Sequence, residues 1–153
     1  MKTVRNSAKA IIIRDNSLLV IRNTTDGHDW YLLPGGGQEH GETLVNALRR
    51  ECLEEASIEI EVGDIIFIRD YISRNHEFAD TDNDAHQVEF MFKCSISGDK
   101  KPETGSNSDQ WQTGVQWLPL KTLSEFDLYP SGLKEALSAG IPEEHNIYLG
   151  DVN

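Results

Sequence analysis

Apolar positions along this chain fall into short runs set apart by polar clusters, a rhythm of β-strands with one clear exception. Ala8 to Ile13 and Leu18-Leu19-Val20-Ile21 flank Asp15-Asn16-Ser17, which predicts a hairpin although no Asn-Gly or Asp-Gly pair marks its turn. Asn23 to Asp29 reads as a polar loop, and Trp30-Tyr31-Leu32-Leu33 as a strand stopped by Pro34 and three glycines. Ile58 to Val62 and Ile65 to Ile72 carry β-branched residues and predict two further strands. Val88 to Cys94 alternates, with Val88, Phe90, Phe92 and Cys94 on one face and Gln87, Glu89 and Met91 on the other. Gly98 to Asp109 is a polar Gly/Ser-rich loop, and Thr113 to Leu118 a last strand. A terminal helix is expected over Leu133 to Ala139, started by Pro130-Ser131-Gly132 and stopped by Gly140 and Pro142.

The exception is Leu44 to Ala56. At about 100° per residue, Leu44, Val45, Ala47, Leu48, Cys52 and Ala56 share one side, so the segment predicts an amphipathic helix packed on a sheet. Thr43 is placed to cap its first turn, and Ser57 stands where the helix should end. Strands and helices mix without a regular βαβ alternation and without internal repeats. The residues therefore predict a single α+β domain, or a sandwich around a mixed sheet, over 1–153.

That helix carries an electrostatic oddity. Glu51, Glu54 and Glu55 sit at spacings of three and four on an arc bordering the apolar side, within reach of one point. Two such carboxylates about 5 Å apart repel by ~3 kcal/mol at an effective dielectric of about 20. A solvated acidic patch is the ordinary reading of paired helical glutamates. Here the border position, and Gly35, Gly36 and Gly37 just upstream, point instead to a hard divalent cation with oxygen ligands, Mg²⁺ or Mn²⁺. The glycines allow close backbone approach, as a phosphate group requires.

These residues resemble a family signature. Gly36, five residues, Glu42, seven residues, then Arg50-Glu51-Cys52-Leu53-Glu54-Glu55-Ala56-Ser57-Ile58 is similar to the box of the Nudix hydrolases. Every fixed position is matched except the last glycine, which is Ser57 here. Trp30 to Gly36 also looks like the family's usual approach to the box. The resemblance implies an α/β/α sandwich around a mixed sheet and divalent-metal-dependent hydrolysis of a nucleoside diphosphate derivative, by water attack at phosphorus. Carried over by position, Glu51, Glu54 and Glu55 would face the metal, with the Gly36 carbonyl as a further ligand. One of Glu51 or Glu54 would deprotonate the water. Arg50 would orient a glutamate, and Glu42 would add an outer contact near the substrate, alongside Gly35, Gly36 and Gly37. Glu89 is the acidic candidate beyond the box, and is equally readable as a solvated edge residue. The alternative is a catalytically silent Nudix module that binds a nucleotide as sensor or scaffold; such modules usually lose box acids, and none is lost here.

Charge and composition narrow the partners. A net charge of −12, from 14 basic and 26 acidic side chains, repels a phosphate backbone, so duplex nucleic acid is not an expected partner. A small nucleotide neutralised by metal remains admissible. Cys52 and Cys94 fit no metal-ligand spacing and read as buried free thiols in a reducing cytoplasm. No run is long enough to span a membrane. Homodimers are common among such relatives, but nothing in the chain demonstrates one.

Other signals are weaker. Asp80-Thr81-Asp82-Asn83-Asp84 opens like a calcium-binding loop, then fails where Ala85 and Met91 replace the required glycine and glutamate. Arg74 to His86 is read as a polar hairpin loop bordering the pocket. Substrate selectivity is expected in this loop and in Gly98–Asp109. The five histidines have no zinc spacing, and Trp30, Tyr31, Tyr71, Phe78 and Trp111 are singly more apt for core than for base stacking. Asp109-Gln110-Trp111 precedes the last strand, where it could line the pocket from the far side.

Overall fold

The computed structural model describes residues 1–81 and 84–153. Asp82 and Asn83, part of the rejected calcium-type loop, lie outside the described residues.

The expected hairpin opens the chain. β1 (Arg5–Arg14) and β2 (Ser17–Thr25) turn on Asp15 and Asn16, whose φ angles of 50° and 58° supply the left-handed backbone that two-residue hairpins need. A second hairpin replaces the expected Asn23–Asp29 loop: β2 runs on to Thr25, turns at Asp26-Gly27 (φ 51° and 77°), and pairs with β3 (His28–Leu32). Asp-Gly is a strong local hairpin signal, here masked by the polar composition of the flanking residues. β4 (Gly35–Gly37) lies antiparallel on β1, and α1 (Leu44–Ala56) follows.

Downstream, the two strands expected from Ile58 to Ile72 are one, β5 (Glu59–Ile72). Its ladder with β6 (His86–Ser97) shifts register between Val62 and Ile65. Gly63-Asp64 reads as a break in the apolar pattern, but a bulge absorbs it without ending the strand. β7 (Gln112–Pro119) pairs with β2, a 3-10 segment spans Leu120–Glu125, and β8 (Leu128–Tyr129) lies parallel to β3. The expected terminal helix is shorter than its pattern: α2 covers only Leu133–Ala136. The Ser138 hydroxyl bonds the Glu135 carbonyl, and Gly140 adopts φ 94°, so the chain turns away. β9 (Tyr148–Asp151) adds in parallel to β5.

The strand order is β8-β3-β2-β1-β6-β5-β9, with β4 also on β1 and β7 also on β2. Parallel and antiparallel pairs mix, and β1 joins the two halves of the sheet: its last residues pair with β2, the rest with β6. Both sheet faces are covered. Ala8, Ala10, Ile12, Phe92 and Cys94 pack with Leu48, Cys52 and Ala56 of α1. Ile11, Phe67 and Met91 pack with Leu123, Leu133 and Leu137 on the other side. Burial on two faces explains why β1 reads as an apolar run broken only by Lys9 from Ala8 to Ile13. It also corrects the expectation for β6, whose second face is not solvated: Met91 is fully buried and Glu89 only 5% exposed. Cys52 and Cys94 are free and buried. No described helix is long and apolar enough to cross a membrane.

Candidate active site

α1 begins as its cap predicts, with the Thr43 hydroxyl accepting from the Asn46 N–H at 3.1 Å. It ends at Ser57 in the left-handed region, φ 55° and ψ 32°, the conformation for which the glycine of the signature is suited. Between these ends Ala47, Leu48, Cys52 and Ala56 are buried against the sheet, and the glutamates lie along the border.

The glycine turn meets this border edge-on. Hydrogen bonds to β1 hold β4 in place, and the side chains of Ser7 and Lys9 donate to the Gly36 and Gly35 carbonyls at 3.1 and 3.0 Å. A methyl group on Gly36 would stand 2.6 Å from the Glu51 carboxyl carbon, so that carboxylate rests directly on bare backbone. Only glycine admits this approach.

Arg50 organises the acids. Its Nε and Nη2 donate to the two oxygens of Glu42 at 2.7 and 3.0 Å, and Nη2 also reaches the Gly37 carbonyl at 3.0 Å. Its Nη1 donates to Glu51 at 2.9 Å and, more weakly, to Glu54 at 3.4 Å. Hydrogen bonds from Arg50 and from the Glu39 N–H hold the Glu42 carboxyl down at about 2. Glu42 is thus tied to Arg50.

Glu55 stands apart. Its side chain is buried, and among the described residues it accepts only a long 3.4 Å bond from the Gly35 N–H and forms no ion pair. Burial, reinforced by nearby Glu51, pushes its carboxyl up to about 8 against the pull of Lys9. It forms one wall of a cavity of about 40 Å³ that Lys9, Asn23, Asp109 and Gln112 also line. That volume holds a water or two and not a nucleotide, so substrate must lie outside it.

The glutamates therefore share an edge but do not converge on one point. Among the described residues, no three His, Cys, Asp or Glu side chains are gathered closely enough to hold a metal ion as placed. Each carboxylate is turned onto its nearest donor: Glu51 and Glu54 onto Arg50, Glu55 onto Gly35. The donor set nonetheless suits a hard cation. It combines three carboxylates, one of them the buried Glu55, with the half-buried backbone of Gly36.

Glu89 is buried on the face of β6 opposite Phe92 and Cys94, in register with Ser7 of β1, and accepts from Arg69 Nε at 2.6 Å. Burial works to raise its carboxyl, and Arg69 with Lys9 outweighs this and keeps it low. Lys9, which lies between the glycine turn, Glu55 and Glu89, was not singled out by the sequence reading; a lone lysine inside the run Ala8–Ile13 is the signal that could have found it. Asp109 and Gln112 line the small cavity beside Glu55. The histidines are dispersed, His28 on Asp127, His76 on Asp151 and His86 on Asp70. Tyr31 and Tyr71 are core residues, whereas Phe78 and Trp111 are exposed.

Known proteins share this fold. The family model of the NUDIX domain matches residues 4–138. A MutT-like protein of Streptomyces ambofaciens is 28% identical over 138 residues, covering 89% of this chain and 79% of that protein. A MutT NUDIX hydrolase from Burkholderia pseudomallei superposes with a TM-score of 0.61 at 25% identity, over 78% of this chain and 86% of that one. An ADP-ribose pyrophosphatase from Streptococcus suis has a TM-score of 0.63 at 18% identity, over 97% and 100% of the two chains, a likeness of fold alone. The match spans both sheet halves and the glutamate helix, and the chain accordingly belongs to the NUDIX domain family as a Nudix pyrophosphohydrolase.

Proposed function

We propose that the chain hydrolyses the phosphoanhydride bond of a nucleoside diphosphate derivative by attack of water at phosphorus, dependent on Mg²⁺ or Mn²⁺. The family acts on small nucleotide substrates and generally uses divalent metal ions. The observation that carries the reading is the Arg50 cluster, which keeps Glu42, Glu51 and Glu54 together at the edge of the glycine turn. A sensor or scaffold has no need for that concentration of acid, and no fixed acid of the box is missing.

Glu51, Glu54 and Glu55, with the carbonyl of Gly36, would hold the cation. When bound, it would neutralise the diphosphate and lower the pKa of attacking water. Arg50 keeps Glu51 and Glu54 oriented, and is itself anchored by Glu42. The carboxylate of Glu51 or Glu54 takes the proton from water as its oxygen bonds to phosphorus. The bridging P–O bond breaks, and its electron pair leaves with the departing phosphate. Burial of Glu55 limits water around the reacting charges, where electrostatic stabilisation is worth most.

The test is phosphate release from a panel of dinucleotides, nucleotide sugars, ADP-ribose and noncanonical nucleoside triphosphates, with Mg²⁺ or Mn²⁺, EDTA as control, and a coupled phosphatase. Metal-dependent turnover of one class well above the others is expected. Nucleotide binding with no turnover of any compound would overturn hydrolysis in favour of the silent module.

A further inference from the structure

We propose that Gly105 and Gln112, at the two ends of the segment entering β7, are positioning residues that set the pitch of the glutamate-bearing last turn of α1. The inference rests on the reading of Glu54 and Glu55 as cation-facing groups.

An α-helix leaves its last four carbonyls without partners inside the helix. In α1 these belong to Leu53, Glu54, Glu55 and Ala56. Ser57 satisfies the first, its N–H lying 3.1 Å from the Leu53 carbonyl. The other three are taken by one distant loop: Asn107 N–H donates to Glu54 at 3.2 Å, Gly105 N–H to Glu55 at 2.9 Å, and Glu103 N–H to Ala56 at 3.0 Å. Gln112 adds a second donor to the Glu55 carbonyl, through its side-chain amide at 2.8 Å. The backbone under two of the three box glutamates is therefore fixed from outside the helix.

The fit leaves no slack. A methyl group on Gly105 would lie 1.9 Å from the Glu54 carbonyl oxygen and 2.5 Å from its carbon. Both are backbone atoms, so a β-carbon there must lift the loop or shift the turn. Gln112 occupies its place at a cost, since its buried Oε1 has no hydrogen-bond partner among the described residues. An apolar residue of the same size would avoid that cost. What the amide supplies in return is the donor to Glu55, on a side chain that also walls the cavity beside the Glu55 carboxyl. The Gly98–Asp109 loop, expected to select substrate, thus also ends as a brace on the helix.

The experiment compares Gly105→Ala and Gln112→Leu with the unmodified chain and with Glu54→Gln. Binding of Mn²⁺ alone is read by electron paramagnetic resonance, steady-state kinetics on the substrate found above, and folding by circular dichroism and thermal melting. Gly105→Ala should weaken Mn²⁺ binding and lower kcat each by on the order of tenfold, with KM for the nucleotide little changed. Gln112→Leu should do the same by about threefold while melting no lower than the unmodified chain. A merely structural brace would lower the melting temperature without moving Mn²⁺ affinity of the folded protein. Should Gly105→Ala fail to fold, Gln112→Leu decides. Unchanged Mn²⁺ binding and kcat in the folded variants, with Glu54→Gln inactive, would overturn the brace and leave the hydrolase reading intact. Full activity in Glu54→Gln would instead overturn the assignment of the glutamates, and the brace with it.

Discussion

Arg50 grips Glu42 through two parallel hydrogen bonds, Nε to Oε1 at 2.7 Å and Nη2 to Oε2 at 3.0 Å, while its remaining nitrogen reaches Glu51 at 2.9 Å. A lysine offers one point charge where this geometry uses a planar fork. Arg50→Lys should preserve net charge and fold yet lower kcat by roughly 10–100-fold, because Glu51 and Glu54 lose their common anchor. Steady-state kinetics beside a thermal melt checks this; wild-type turnover would show that the fork is dispensable.

Glu54 is only weakly held, its bond to Arg50 being 3.4 Å, and it is partly exposed at the helix border. Glu54→Gln keeps shape and removes charge and basicity. The fold should survive, and turnover should fall by about 10²-fold or more. A near-normal rate would remove Glu54 from the catalytic group.

Gly36 tests the contact between turn and helix. Gly36→Ala places a methyl group 2.6 Å from the Glu51 carboxyl carbon, which is the far end of a flexible side chain. The protein should therefore fold with little loss of stability while Glu51 swings aside, and kcat should fall by on the order of tenfold or more. Unaltered kinetics would mean that Glu51 acts from a position independent of Gly36.

What local pattern encodes was readable, and what distance encodes was not. Thr43, the apolar arc from Leu44 to Ala56 and the acidic border are signals within a few residues of one another, and α1 lies where they put it. β9 carries no alternation, and it is held by pairing with β5 some eighty residues earlier in the chain. Glu89 showed the same limit. Its face of β6 looked polar, but Arg69 on the neighbouring strand neutralises it and Met91 beside it is core. The bulge at Gly63-Asp64 looked like a strand end because periodicity cannot tell an interrupted ladder from two ladders. Among the site residues, the box acids were evident from spacing; Lys9 and Gln112 were not, since their roles arise only where β1 and β7 meet the glycine turn and helix end.

The departure from the family signature makes a stability prediction. Ser57 sits at φ 55°, where a residue with a β-carbon is strained by roughly 1 kcal/mol and glycine is not. Ser57→Gly should raise the melting temperature by about 2–4 °C, less any share lost to the greater freedom of glycine in the unfolded chain. Turnover should not change, since Ser57 touches none of the box carboxylates. A lower melting temperature would mean that the serine contributes more than its backbone strain costs.

Asp151 provides the pH dependence. It accepts from the Ile72 N–H at 3.0 Å, Asn75 at 2.7 Å and His76 at 2.6 Å, tying β9 to the end of β5. Burial alone would raise its carboxyl, but these donors outweigh it and hold it at about 2, against an ordinary 3.8. Because the folded value lies below the unfolded one, the stabilisation is fully present above 3.8 and is lost as pH falls toward 2. Asp151 remains partly open to solvent, so screening limits the effect to about 1 kcal/mol. Asp151→Asn should accordingly melt lower than the unmodified chain by about 2–4 °C near neutral pH, and the gap should close at about pH 2. Thermal melts across that range decide it: a gap that is constant with pH would assign the loss to shape and hydrogen bonding, and not to the charge on Asp151.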